Sequence, residues 1–211
     1  MNYIQSYCNI TPERVVQDGK LYYEYARNEF IMHDFLSSLY VHSGVEYRKF
    51  YKMDLLSKLG FLSSELLLPA SERETPKEDM GIILFNSSSS LNADAIFQKT
   101  IQDGADFFPS PADFVYTLPN IVTGEIAIRN KIYGETCFYV LPDFQADTIY
   151  QTIDATMTFS GMNSLLAGWL EVDMEAKTLC SMMLLCVKNE EAGNFQLNAK
   201  NINNLYINHK I

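Results

Sequence analysis

Six consecutive apolar residues, Met80-Gly81-Ile82-Ile83-Leu84-Phe85, limit what this chain can fold into more than any other feature. The run is strand length, and its lack of polar alternation requires cover on both faces, as for a central strand in a parallel sheet. Polar punctuation brackets it. Ser71 to Asp79 contains Pro76 and reads as an exposed connection. Asn86-Ser87-Ser88-Ser89-Ser90 reads as a turn feeding a helix in which Ala93, Ile96, Phe97, Thr100 and Ile101 share a face. Those serines lack the Gly-rich loop and following Lys of a phosphate site.

The same alternation of element types extends both ways. Upstream, Leu55, Leu56, Leu59, Leu62, Leu66 and Leu67 recur at helical spacing behind Asp54, which is placed to cap them. The chain opens with a β-prone run, Tyr3 to Cys8, that stops at Thr11-Pro12 and leads into an irregular stretch. Tyr22, Tyr23, Tyr25, Phe30, Phe35, Tyr40, Tyr47, Phe50 and Tyr51 then read as a loop-rich aromatic cover over a core. Downstream, two prolines break Phe107 to Pro111, and a helix is predicted from about Ala112 to Asn130. A strand follows at Thr136 to Leu141, then a helical stripe of Ala146, Ile149, Tyr150, Ile153 and Met157. Leu165 to Glu171 and Leu179 to Val187 read as a closing hairpin.

This order implies a layered α/β domain with a mixed, mostly parallel five-stranded sheet. With 211 residues, 47% of them apolar, one domain over the whole chain is expected, with a polar tail near 190–211. No internal repeat is visible.

Charge and cysteine usage narrow the partners. A formal net charge of −10 excludes the clustered Lys and Arg of a nucleic-acid groove or an anionic-membrane surface. The first residues show neither a basic n-region nor an apolar h-region, and no segment reaches spanning length, so a cytoplasmic protein is expected. Cys8, Cys137, Cys180 and Cys186 form no CxxC pair, and three lie in apolar runs, as expected of buried thiols in a reducing compartment. Cys137, inside a strand, reads as inert packing. His33, His42 and His209 have no metal-site or Cys-His spacing, and no metal or cofactor is expected. Asp34, Glu46 and Glu125 read as carboxylates of a solvated face.

The most specific stretch is Pro119-Asn120-Ile121-Val122-Thr123-Gly124-Glu125-Ile126-Ala127-Ile128, followed by Gly134 and the strand to Leu141. It resembles the Pro-Asn-x-x-x-Gly-x-(Ile/Leu)-(Ser/Ala)-Ile helix and buried strand that lead to the nucleophile of β-ketoacyl synthases. Tyr51 to Gly60 is similar to that family's Arg-Met-Asp-x-x-Ser helix. Gly81 to Leu84 stands in the place of its Gly-Val-x-x-Gly strand, and Leu166-Ala167-Gly168-Trp169 resembles its Leu-Ala-Gly-Gly turn. The resemblance implies a thiolase-like N-terminal half, normally packed against a second half that supplies two histidines and dimerised through the strand before the nucleophile.

Counted from Gly134, the resemblance puts Asp143 where the family has its cysteine, flanked by Phe144 and Gln145. A carboxylate is a poor nucleophile, and its acyl product would be a labile anhydride, so Asp143 reads instead as a helix N-cap. A shift of two would bring Gln145 to the position, as in relatives that carry Gln instead of Cys. The implied function is a non-catalytic partner, or chain-length-factor-like subunit, in acyl-carrier-protein-dependent fatty acid, polyketide or aryl polyene synthesis. It would pair with itself or with a full ketosynthase through the strand at 136–141, and with an acyl carrier protein. The alternatives are an enzyme with residual thioester hydrolase or decarboxylase activity, and an unrelated α/β binding domain.

Overall fold

The computed structural model describes residues 1–26, 29–105, 107–188 and 194–207. Its centre is β4 (Met80–Asn86), buried along its whole length and flanked in parallel by β5 (Thr136–Val140) and β6 (Ser164–Asp173). The unbroken apolar run is thus covered on both faces, as its pattern requires.

The sheet is larger and less parallel than the sequence pattern suggests. Among the described residues there are eight strands, seven in the order β3-β2-β1-β7-β6-β4-β5 and β8 (Phe195–Gln196) paired to the start of β1 (Tyr3–Ile10). The parallel ladders are the two on either side of β4; β7 (Thr178–Val187) joins β6 and β1 in antiparallel ladders. The expectation of five mostly parallel strands missed β2 (Arg14–Gln17), β3 (Lys20–Glu24) and the short β8. The signal for the first two lay in the sequence. Asp18-Gly19 makes a two-residue turn with φ of 48° and 76°, joining Gln17 to Lys20. An Asp-Gly pair that populates φ > 0 at both positions matches the twist of a hairpin.

Helices cover both faces. On one side α1 (Met32–Ser43), α2 (Leu55–Leu67) and α5 (Ile121–Asn130) bury Phe35, Leu39, Leu59, Leu62 and Ile126 against Ile82, Leu84 and Leu170. On the other, α6 (Ala146–Phe159) and α7 (Ala199–Ile207) bury Ile149, Ile153, Met157 and Ile202 against Ile83, Phe85 and Leu184. Asp54 caps α2 as expected, accepting from the Ser57 and Leu56 N–H groups at 3.0 and 3.3 Å.

Three local expectations are corrected. The aromatic segment is a hairpin strand followed by α1, which ends at Gly44 with φ of 67°. All of its rings but the exposed Tyr51 lie in or against the core: Phe50 stacks on Tyr40 at 4.1 Å and Phe61 on Tyr47 at 5.3 Å. Downstream of α3 (Leu91–Lys99), the helix over 112–130 is two helices, α4 (Pro111–Val115) and α5, parted at 116–120. Pro119 lacks the N–H that a continuous helix would need there and restricts Leu118 before it. Finally, α7 occupies much of the segment read as a polar tail. Its Ile202 and Leu205 at i, i+3 are buried, and i, i+3 spacing is enough to anchor a helix with Asn on its outer face. The parts of that tail at 190–193 and 208–211, and with them His209, lie outside the described residues.

Close approach explains the glycine that sets the register of the motif. The Gly134 N–H donates to the Met80 carbonyl at 3.1 Å, and a Cβ at Gly134 would stand 2.2 Å from that oxygen. The chain therefore enters β5 hard against the start of β4. Among the described residues, no helix is long and apolar enough to cross a membrane.

Candidate functional site

The candidate position lies at the carboxyl ends of the parallel trio β5, β4 and β6, the place where α/β sheets present their ligands. The chain leaves β5 at Val140, holds the Leu141 N–H on the Asn86 carbonyl at 2.8 Å, and turns through Pro142, Asp143 and Phe144 into α6. A helix of fourteen residues begins there, so its first N–H groups and its dipole favour negative charge at this turn.

The turn carries a carboxylate, a ring and an amide, and no thiol. Asp143 is exposed, and its Oδ1 accepts from the Gln145 Nε2 at 2.9 Å. It is not the N-cap. Gln145 holds that position, extended at φ −125° and ψ 93°, and its Oε1 accepts from the Thr148 hydroxyl at 3.0 Å. The short Asp143 side chain is two residues too early to reach the N–H groups of the first turn.

Phe144 fills the space behind. Its ring stacks on Tyr206 of α7 at 3.5 Å and 6°, and meets Trp169 of β6 edge-on at 5.6 Å. Burial, then the neighbouring Cys180 and Glu171, pushes the Tyr206 phenol up to about 12, so it stays neutral. Glu171 itself is engaged with the serine turn after β4: it accepts from the Ser87 N–H at 2.8 Å, from the Ser87 hydroxyl at 2.6 Å and from the Ser88 hydroxyl. The serines hold a carboxylate of this chain, in keeping with the absence of a phosphate motif.

Other chemistry-bearing residues are scattered. Cys8 and Cys186 are buried, and burial pushes both thiols up to about 12. Cys137 is half-buried on β5, its Sγ 3.9 Å from Glu135 Oε1, and Cys180 is half-buried on β7. Neither strand position is at the α6 turn.

His42 lies on the opposite face of the sheet, against the rings of Tyr22 and Tyr23, with Nε2 3.2 Å from the Tyr22 carbonyl. His33 lines a cavity of about 150 Å³ with Asp54, Asn92 and Tyr116, and burial ahead of the Lys58 charge holds its imidazole below the ordinary value. Glu125 corrects the solvated-face reading: it is buried in α5 with Lys49 Nζ at 2.7 Å and the Tyr116 hydroxyl at 3.4 Å. Glu46 is exposed, and Asp34 lines an open recess on α1 with His42. Sequence reasoning reached the turn at 143–145 but missed the parts of Trp169 and Glu171 of β6 and of Tyr206 of α7, which come from two segments distant from it.

No family model matches the sequence, and no curated protein matches it. Solved structures do. The ishigamide ketosynthase/chain length factor superposes with a TM-score of 0.63 at 15% identity over 92% of this chain and 63% of that one. A ketosynthase in complex with its chain length factor from Xenorhabdus doucetiae gives 0.54 at 12% identity, over 89% of this chain and 79% of that one. A type II polyketide synthase acyl carrier protein in complex with its ketosynthase gives 0.60 at 10% identity, over 90% of this chain and 63% of that one. The chain thus has the thiolase-like ketosynthase fold, and it spans less than two thirds of the length of the first of these structures.

Proposed function

We propose that this chain is a non-catalytic ketosynthase-like subunit, a chain-length-factor-like partner in acyl-carrier-protein-dependent synthesis of a fatty acid, polyketide or aryl polyene. The observation that carries the reading is the turn into α6. A condensing enzyme needs a thiolate there, activated by the helix N-terminus. This chain offers an exposed Asp143, a Phe144 locked in an aromatic stack and an N-cap Gln145. Supporting it, β5 ends the sheet with one ladder edge unpaired among the described residues, while Tyr139 and Val140 are exposed beside it. An open, apolar edge of five residues is a template for pairing with another chain, and a two-fold axis would serve a second copy or a full ketosynthase alike.

Co-expression with a candidate ketosynthase and acyl carrier protein tests the reading. The expected result is a stoichiometric complex that a Val140→Pro or Tyr139→Lys substitution disrupts. A chain that stays monomeric and binds neither protein would sink it.

One observation favours a second reading. Gln145 stands at the N-cap, where the dipole acts on a bound carbonyl or carboxylate, so decarboxylation of a malonyl thioester through Gln145 is the activity to look for. Release of CO₂ from malonyl thioester by the chain, lost in Gln145→Ala, would establish that reading; unchanged thioester in both variants supports the silent partner.

A further inference from the structure

A second cleft lies on the α6–α7 face of the sheet, over the β1–β2 end. The β1–β2 hairpin and the end of α7 enclose a cleft of about 250 Å³ lined by Tyr7, Asn9, Thr11, Arg14, Val16 and Leu205, with Gly19 at one end. Strand parity explains the lining. Cys8, Ile10 and Val15 point into the core beneath α2, so Tyr7, Asn9, Thr11, Arg14 and Val16 project from the opposite face, beside α7.

Two groups in the cleft lack what their chemistry requires. Asn9 is 5% exposed; its Nδ2 donates to the Leu205 carbonyl at 3.1 Å, but its Oδ1 has no donor among the described residues. A buried acceptor in that state is rare in folded proteins and calls for an N–H or O–H from outside the chain. The Arg14 guanidinium takes part in no ion pair of the described residues, although acids outnumber bases 26 to 16 in this chain. Its backbone is fixed by the Thr11 hydroxyl, which donates to the Arg14 carbonyl at 3.0 Å and accepts its N–H at 3.3 Å.

The cleft also has a polarity. At the end away from Arg14, Asp18 accepts the Tyr7 N–H at 2.8 Å, and burial followed by the Asp18 charge raises the Tyr7 phenol above its ordinary value. An anion is repelled there and attracted at Arg14. Val16, Leu205 and the Tyr7 ring supply apolar wall between the two ends. The volume is below the ~300–1,000 Å³ of sites for drug-sized molecules, so the occupant is small.

We propose that this cleft binds a small organic carboxylate that also carries an amide N–H and an apolar body, the chemistry of an N-acylated amino acid. The carboxylate meets Arg14, the N–H meets the Asn9 Oδ1, and the apolar part lies on Val16 and Leu205. The cleft is four strand spacings from β5, roughly 19 Å at about 4.8 Å each, so it stands apart from the pairing edge, while Leu205 in its wall adjoins Tyr206, which stacks on Phe144.

Calorimetric titration of the full chain with N-acetyl-L-leucine tests this, with backbone amide shifts in NMR to locate the site. Expected are one saturable site, shifts centred on Tyr7, Asn9, Val16 and Leu205, and affinity about tenfold weaker for N-acetyl-L-leucinamide, which lacks the carboxylate. Arg14→Gln lies at the hairpin turn, where it leaves the core intact, and is expected to weaken the acid about tenfold while leaving the amide's affinity unchanged. The proposal is overturned by an absence of saturable binding at millimolar acid, by equal affinity for acid and amide, by indifference to Arg14→Gln, or by shifts that map elsewhere. None of those results bears on pairing through β5.

Discussion

The two glycines of the ketosynthase-like motif make opposite physical demands, and exchanging each for alanine separates them in one assay. At Gly124, in α5, an added Cβ meets nothing within 4 Å. Gly→Ala in a helix interior removes backbone entropy from the unfolded chain, worth about 0.5–1 kcal/mol in favour of the variant. At Gly134 the new Cβ lies 2.2 Å from the Met80 carbonyl oxygen and 2.6 Å from the Met162 sulfur. The sulfur is the movable end of a side chain and can yield; the carbonyl is backbone and accepts the Gly134 N–H, so relief requires β5 to separate from β4. Overpacking of a well-filled interior costs about 1–3 kcal/mol. For a chain of this size each kcal/mol moves Tm by about 2–4 °C, so Gly124→Ala should raise Tm by about 1–4 °C and Gly134→Ala should lower it by about 2–12 °C. Thermal unfolding followed by circular dichroism reads both. A Gly134→Ala variant as stable as the wild type, or two shifts of the same sign, would refute the close-approach argument and with it the physical reason for the motif's register.

Three further outcomes follow from the same structure. Phe144→Ala removes a half-buried ring from between Tyr206 and Trp169; at roughly half the 3–5 kcal/mol of a core Phe→Ala change it should cost about 2 kcal/mol in urea unfolding, and a loss below about 0.5 would mean the stack does not close the turn. With DTNB at about pH 8, the half-exposed Cys137 and Cys180 should react in the native state and the buried Cys8 and Cys186 only on unfolding. Because burial lifts those two thiols from 9.0 to about 12, the stability linked to them is full below pH 9.0 and is lost as pH rises toward 12, which alkaline unfolding curves would register. Asp54→Ala should cost about 1 kcal/mol through loss of the α2 cap, whereas Asp54→Asn keeps an accepting oxygen. Burial raises the Asp54 carboxyl above 3.8 despite its N–H partners, so its favourable contribution is present below pH 3.8 and fades as pH rises through the raised value; the D54N variant should therefore gain on the wild type over that rise.

What could be read from the chain alone was whatever local rules govern. Met80 to Phe85 had to be a covered strand because six apolar residues in a row leave no wet face, and Asp54 had to cap the leucine stripe behind it. The strand at 136–140, the helix at 146–159 and the final hairpin follow the same logic of period and turn. The Asp18-Gly19 hairpin was legible too, through a turn pair that the surrounding aromatic residues obscured. The turn at 143–145 came from motif spacing, which places residues along the chain but not in space.

The tertiary structure decided the rest. That Phe144 is locked between Tyr206 and Trp169, that Glu171 reaches back to Ser87 and Ser88, and that Arg14 and Asn9 share a cleft with Leu205 all depend on contacts across some 25 to 200 residues of sequence. Such contacts arise when packing layers bring separate elements together, and no local periodicity encodes which side chains then meet.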